Sequence, residues 1–204
     1  MKLLLCSYAP HKSEKLEKAF LDLLTKPIDE NKVFILSMDT TSRRYRESLE
    51  IAKQWYIGLG ILEHNISIYN LITDTIPSFD GLDVLHVWGG NTFHYLKQIR
   101  EIGLVPMIHD FVRRDGVYVG SSAGSMLMGP SVDEDLYILE KNEVGLQNVT
   151  GFGIVPFYIC AHWDSKSDEV RDEMLKYGKA SGKHLIPLTD QQGVLVHDNG
   201  YEII

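Results

Sequence analysis

The feature that most constrains this chain is an alternation of short, nearly continuous apolar runs with segments of helical periodicity. The runs fall at residues 2–6, 33–36, 66–69, 84–88, 117–119, 157–161, 185–188 and 193–196. Between them, residues 13–24 place Leu16, Ala19, Phe20, Leu23 and Leu24 on one helical face. Further helices are expected at about 42–59, at 92–100 with Asn91 or Thr92 as cap, and at 168–179. Another is expected at 106–114, with Pro106 in its first turn and Gly116 beyond its end. The acidic stretch 129–150 reads as irregular, with a short strand at 136–139, and an Asp198-Asn199-Gly200 turn folds residues 201–204 back on the last run. Strands that are apolar on both faces belong to parallel sheets covered by helices on both sides. The expectation is an α/β three-layer sandwich with a mostly parallel central sheet and a C-terminal antiparallel hairpin. With 204 residues and no repeat or linker, it forms a single domain spanning 1–204.

In such sheets ligands bind beyond the carboxyl ends of the strands, which directs attention to the loops after Trp88, Val119 and Ala161. The loop after Val119 reads Gly120-Ser121-Ser122-Ala123-Gly124, a G-x-S-x-G pattern between a strand and a helix. A nucleophile elbow crowds strand against helix, so glycine is needed two residues before and after the serine. That selects Ser122, because the same positions around Ser121 hold Val119 and Ala123.

A serine hydroxyl is a weak nucleophile without a base. Of eight histidines, His162 follows the 157–161 run and stands on the rim expected for Ser122. The acid that orients it is open among Asp133, Asp135 and Asp190, since triads occur in several chain orders. An oxyanion needs preorganised N–H donors. The elbow supplies that of Ala123, and Gly89, Gly90 and Asn91 form a turn whose backbone can approach a ligand closely.

Composition removes other classes. Twenty Lys and Arg against twenty-eight Asp and Glu leave a net charge of −8, with no basic run, which argues against nucleic acid. The N-terminal apolar run is too short for a signal sequence or a membrane span. Two cysteines, Cys6 and Cys160, form neither a CxxC motif nor a disulfide framework, so a cytoplasmic location is expected. No metal or organic cofactor is required by this chemistry; the expected partner is a small peptide substrate, and a homo-oligomer stays open.

Trp88-Gly89-Gly90-Asn91-Thr92, then Gly120-Ser121-Ser122-Ala123-Gly124-Ser125, then a strand ending at His162, resembles the peptidase E family of serine peptidases over nearly the whole chain. That family includes aspartyl dipeptidase and, more distantly, cyanophycinase. The resemblance implies a class I glutamine amidotransferase-like fold, Ser122 as nucleophile, His162 as its base, and oxyanion donors at Gly90 and Ala123. It places the acid at Asp133 or Asp135, or at Asp190. It also implies short peptides, including those with an N-terminal Asp, whose side chain needs a cation: Lys166, Arg171, Arg43, Arg44 and Arg46 are the candidates. The residues Asp133, Glu134, Asp135 and Asp164 carry the opposite sign from that requirement.

Overall fold

The computed structural model describes residues 1–39, 41–133 and 140–204. Its first strand, β1 (Lys2–Cys6), buries Leu3 and Leu5 on one face and Leu4 and Cys6 on the other. Both faces therefore need a helical cover. α1 (Glu14–Leu23), β2 (Val33–Ser37) and α2 (Arg43–Gly58) follow, and the two helices cover one face with Leu16, Phe20, Leu49, Ala52 and Tyr56. β3 (Ile66–Asn70) and β4 (Val84–Val87) precede α3 (Thr92–Glu101) and α4 (Leu104–Arg113), which cover the other face with Phe93, Leu96, Ile108 and Phe111. β5 (Val117–Ser121) enters the short helix α5 (Ala123–Met126), and β6 (Tyr158–Cys160), α6 (Asp168–Ala180), β7 (Leu185–Pro187), β8 (Gly193–His197) and β9 (Gly200–Ile203) complete the chain.

The seven-stranded sheet has the order β3-β2-β4-β5-β1-β8-β9. It is parallel from β3 to β1, while β8 and β9 add the expected antiparallel hairpin. Helix starts are set by side chains the sequence advertises: Ser13 accepts from Lys15 N, Asn91 from His94 N and Ser167 from Val170 N.

Two local expectations change. β6 and β7 leave the main sheet and pair with each other in a separate two-stranded parallel sheet, because the edge of β1 is occupied by β8. α4 begins two residues before Pro106: Gly103 takes the left-handed conformation, φ 73°, and caps it. Pro106 then stands in the first turn, where a missing N–H breaks no helical bond. The strand expected at 136–139 lies outside the described residues.

Cys6 and Cys160 are buried and unpaired. Burial pushes the Cys160 thiol up to about 12 and raises that of Cys6 as well. Among the described residues no helix is long and apolar enough to cross a membrane.

Candidate active site

Ser122 joins β5 to α5 with φ 50° and ψ −110°, a conformation that costs a non-glycine residue about 1–3 kcal/mol. Its flanking glycines are obligatory. A Cβ on Gly124 would lie 2.1 Å from Val87 O, and one on Gly120 would lie 2.7 Å from Ser125 N. The elbow is also tied to β1, since Ser122 N donates to Cys6 O at 3.1 Å and Ser125 Oγ donates to the same oxygen at 2.7 Å. Ser121 is buried and bonded to His86 Nε2 at 2.8 Å, while His86 Nδ1 meets Tyr56 OH at 3.0 Å. Burial lowers the His86 pKa to about 3, so its ring is neutral. The two adjacent serines thus have separate partners, one inside the core and one at the surface of the cleft.

Ser122 Oγ lies 2.9 Å from His162 Nε2, and His162 Nδ1 lies 2.6 Å from Asp190 Oδ1. A carboxylate can only accept, so Nδ1 carries the proton and Nε2 is free to accept from the serine hydroxyl. His162 follows β6 in the left-handed conformation, φ 55° and ψ 41°. Its backbone N–H donates to Ser7 Oγ at 2.7 Å, and the Ser7 hydroxyl donates to Leu188 O at 3.1 Å. Ser7 is fully buried at the carboxyl end of β1, so one hydroxyl clamps the small sheet to the large one beside the cleft. Asp190 is held by its N–H, which donates to Asp164 Oδ1 at 3.2 Å.

The other residues singled out in the sequence divide as follows. Asp133 accepts from Tyr177 OH at 2.8 Å and from Lys183 Nζ at 3.0 Å, so the carboxylate on His162 Nδ1 is that of Asp190. Asp135 lies outside the described residues. A Cβ on Gly89 would come 3.3 Å from Ser122 Cβ and 4.0 Å from its Oγ, which places this turn directly against the serine. Gly90 packs under Tyr95 and Tyr45, whose atoms leave 2.9 and 3.2 Å for a side chain. Asn91 caps α3 and donates to Lys141 O at 3.0 Å, so its side chain is engaged in structure. Ala123 opens α5, in the turn where helical N–H groups lack intrahelical partners.

Among the basic residues, Arg171 is engaged with the carbonyls of Trp163 and Asp164 and with Asp168, and Arg43 pairs with Glu47. Lys166 is the one anchored beside His162, donating to Ala161 O at 2.8 Å. Burial lowers its pKa, against the pull of Cys160, Glu140, Asp190 and Asp164.

Three contributors were not singled out in the sequence. Ser7 directly follows the first strand, at a strand end like those of the loops after Trp88, Val119 and Ala161. Tyr8 stands edge-on to the His162 ring at 6.0 Å between centroids, with Lys12 Nζ 4.4 Å above it. Glu140 reaches back to α3, where its Oε2 accepts from Thr92 N at 2.7 Å; no sequence signal marked it.

The family model of peptidase family S51 matches residues 3–204. Peptidase E of Escherichia coli O6:K15:H31 (strain 536 / UPEC) is 31% identical over 120 residues, 58% of this chain and 52% of that protein. Peptidase E of E. coli strain K12 / DH10B is 31% identical over 107 residues, 52% of this chain and 47% of that protein. The chain thus spans about half the length of the curated relatives it matches. Among solved structures, a putative peptidase E protein from Listeria monocytogenes EGD-e superposes with a TM-score of 0.79 at 18% identity, covering 100% of this chain and 97% of that one. A peptidase from an acI-B1 Actinobacterium gives 0.68 at 14% identity, covering 100% and 86%. Both share the fold.

Proposed function

The chain belongs to peptidase family S51, and on that premise we propose that it is a serine peptidase acting through Ser122, His162 and Asp190. The observation that carries the reading is the continuous contact from Ser122 Oγ to His162 Nε2 at 2.9 Å and from Nδ1 to Asp190 at 2.6 Å, starting from a strained elbow.

Ser122 Oγ attacks the peptide carbonyl carbon while its proton passes to His162 Nε2. Asp190 holds the imidazole in the tautomer that can accept it and stabilises the imidazolium that forms. The carbonyl oxygen becomes an oxyanion, met by the Ala123 N–H and by the backbone of the Gly89-Gly90 turn that lies against Ser122. Collapse of the intermediate breaks the C–N bond as His162 returns the proton to the leaving amine. Water then attacks the acyl-serine by the same route, giving the free acid and restoring the hydroxyl.

The substrate in this reading is a short peptide, including dipeptides with an N-terminal Asp. Lys166 is the cation available to an acidic side chain. The unpaired, buried cysteines suit a reducing compartment, the cytoplasm.

Labelling by a fluorophosphonate probe tests the chemistry: wild type should be modified at Ser122, and Ser122→Ala should not. Absence of labelling at millimolar probe overturns the reading. A panel of Asp-X dipeptides, other dipeptides and simple esters then tests the substrate, and turnover confined to esters would refute peptidase activity.

A further inference from the structure

β4 and β5 lead into the two halves of the proposed oxyanion site, yet their backbone pairing stops just before they reach it. Their parallel register ends at Val87 opposite Gly120. Past that pair the backbones turn to opposite neighbours. Trp88 N donates to Leu36 O on β2 at 2.9 Å, and Ser122 N donates to Cys6 O on β1 at 3.1 Å. Gly89 and Gly90 follow the first strand, Ser122 and Ala123 the second. The side chains of His86 and Ser121 reach across this divergence. His86 is paired in register with Val119, so its ring leans forward along the same face to the residue two further on, where Nε2 meets Ser121 Oγ at 2.8 Å.

The other ring nitrogen is held as well. Tyr56 OH, from α2, lies 3.0 Å from His86 Nδ1, and the Trp88 ring stands 5.0 Å from the His86 ring between centroids. Tyr56 and His86 are fully buried and Ser121 is 2% exposed, beside a layer built mainly from apolar side chains. Apolar groups of the same shape would fill that space at little cost in stability. What the hydrogen bonds add is a fixed direction and distance between β4 and β5, which apolar contacts do not impose.

We propose that Tyr56, His86 and Ser121 are positioning residues that set the distance between the Gly89-Gly90 turn and Ser122-Ala123, and so the geometry in which the backbone donors of both strands meet the oxyanion. This rests on the serine-peptidase reading above and adds what holds its oxyanion site in register. The turn already lies against the elbow: a Cβ on Gly89 would come 3.5 Å from Ser121 O and 3.3 Å from Ser122 Cβ. A slip of β4 against β5 therefore moves donors and nucleophile relative to each other, and a misplacement of about 1 Å costs up to about 100-fold in rate.

The experiment follows labelling of Ser122 by a fluorophosphonate, whose phosphonyl oxygen takes the oxyanion's place as the new bond forms. The maximal labelling rate is separated from the half-saturating concentration, at a temperature below the onset of unfolding of every variant. Ser121→Ala should lower the maximal rate by about 10- to 100-fold, with the half-saturating concentration within about threefold of wild type. Ser121→Thr returns the hydroxyl and should recover most of the rate. His86→Asn, too short to reach Ser121, should lose about as much as Ser121→Ala, and the double variant no more than either, because both remove one bond. Tyr56→Phe keeps that bond but frees the far side of the ring, so its loss should be smaller yet measurable.

An unchanged maximal rate in Ser121→Ala overturns the proposal. So does a failure of Ser121→Thr to recover it, or losses that multiply in the double variant, which would mark two unrelated packing effects. Should Ser121→Ala not fold, a Tyr56→Phe rate equal to that of wild type overturns it instead. Failure of wild type itself to be labelled would sink the serine-peptidase reading and the proposal with it.

Discussion

His162 Nδ1 and Asp190 Oδ1 stand 2.6 Å apart although the residues are 28 positions apart and follow different strands of the small β6–β7 sheet. Parallel pairing of those strands brings both carboxyl ends to one edge. The turn after β7, closed by Thr189 donating to Gln192 Oε1 at 3.0 Å, then aims Asp190 at the ring. Asp190→Asn would preserve the contact but allow the wrong tautomer, so kcat/KM should fall by about 10⁴-fold, by analogy with other serine triads. Steady-state kinetics on a dipeptide or ester substrate checks this, and a loss under tenfold would remove Asp190 from the role.

Asp133 should behave oppositely. Its carboxylate is largely buried and engaged by Lys183 and Tyr177, not by His162. Asp133→Asn should cost about 1–3 kcal/mol of stability by leaving the ammonium incompletely paired, with kcat within a few-fold of wild type. Urea unfolding beside kinetics separates the two effects.

Ser122→Gly should remove the side chain and the strain together. Glycine accepts φ 50° freely, so after its greater unfolded-state entropy is counted, the variant should gain roughly 1 kcal/mol while losing fluorophosphonate labelling. Gly124→Ala is its counterpart: a methyl 2.1 Å from Val87 O forces the elbow from the sheet, at a cost of about 3 kcal/mol or more. Thermal denaturation of the pair should move in opposite directions.

Ser7→Ala should weaken the clamp between the two sheets. Two buried backbone groups, His162 N–H and Leu188 O, lose their partner, for which about 1–3 kcal/mol of destabilisation is expected. Because His162 hangs on that bond, kcat should fall as well, with KM little changed.

His86 predicts an acid limb of stability. Its folded pKa, about 3, lies below the ordinary 6.5, so below pH 6.5 the unfolded chain takes up a proton that the folded ring refuses. Its effect on stability is absent above pH 6.5, and stability falls progressively as pH drops from 6.5 towards 3. At pH 5 the loss from this one group is about 2 kcal/mol relative to pH 7. His86→Asn removes it, so the fall in urea midpoint between pH 7 and 5 should be smaller in the variant; an identical fall would show that His86 does not contribute.

The elbow was legible because its constraints are local. Gly120 and Gly124 are demanded by crowding within a few residues of Ser122 and against the neighbouring strand, and a strand-to-helix transition displays that demand in its own sequence. The layered sheet was legible for a related reason, since runs buried on both faces leave a continuous apolar signature. His162 is legible from the rule that chemistry sits at strand ends, although its strand belongs to a second sheet. What only the tertiary structure decided are contacts that no periodicity encodes: Asp190 rather than Asp133 at His162, 28 residues away; Glu140 returning to Thr92 across 48; Ser7 meeting His162 across 155. Hydrogen bonds of this kind depend on where two packed sheets place their edges, and a carboxylate or hydroxyl looks the same in sequence whether it faces solvent or completes a site.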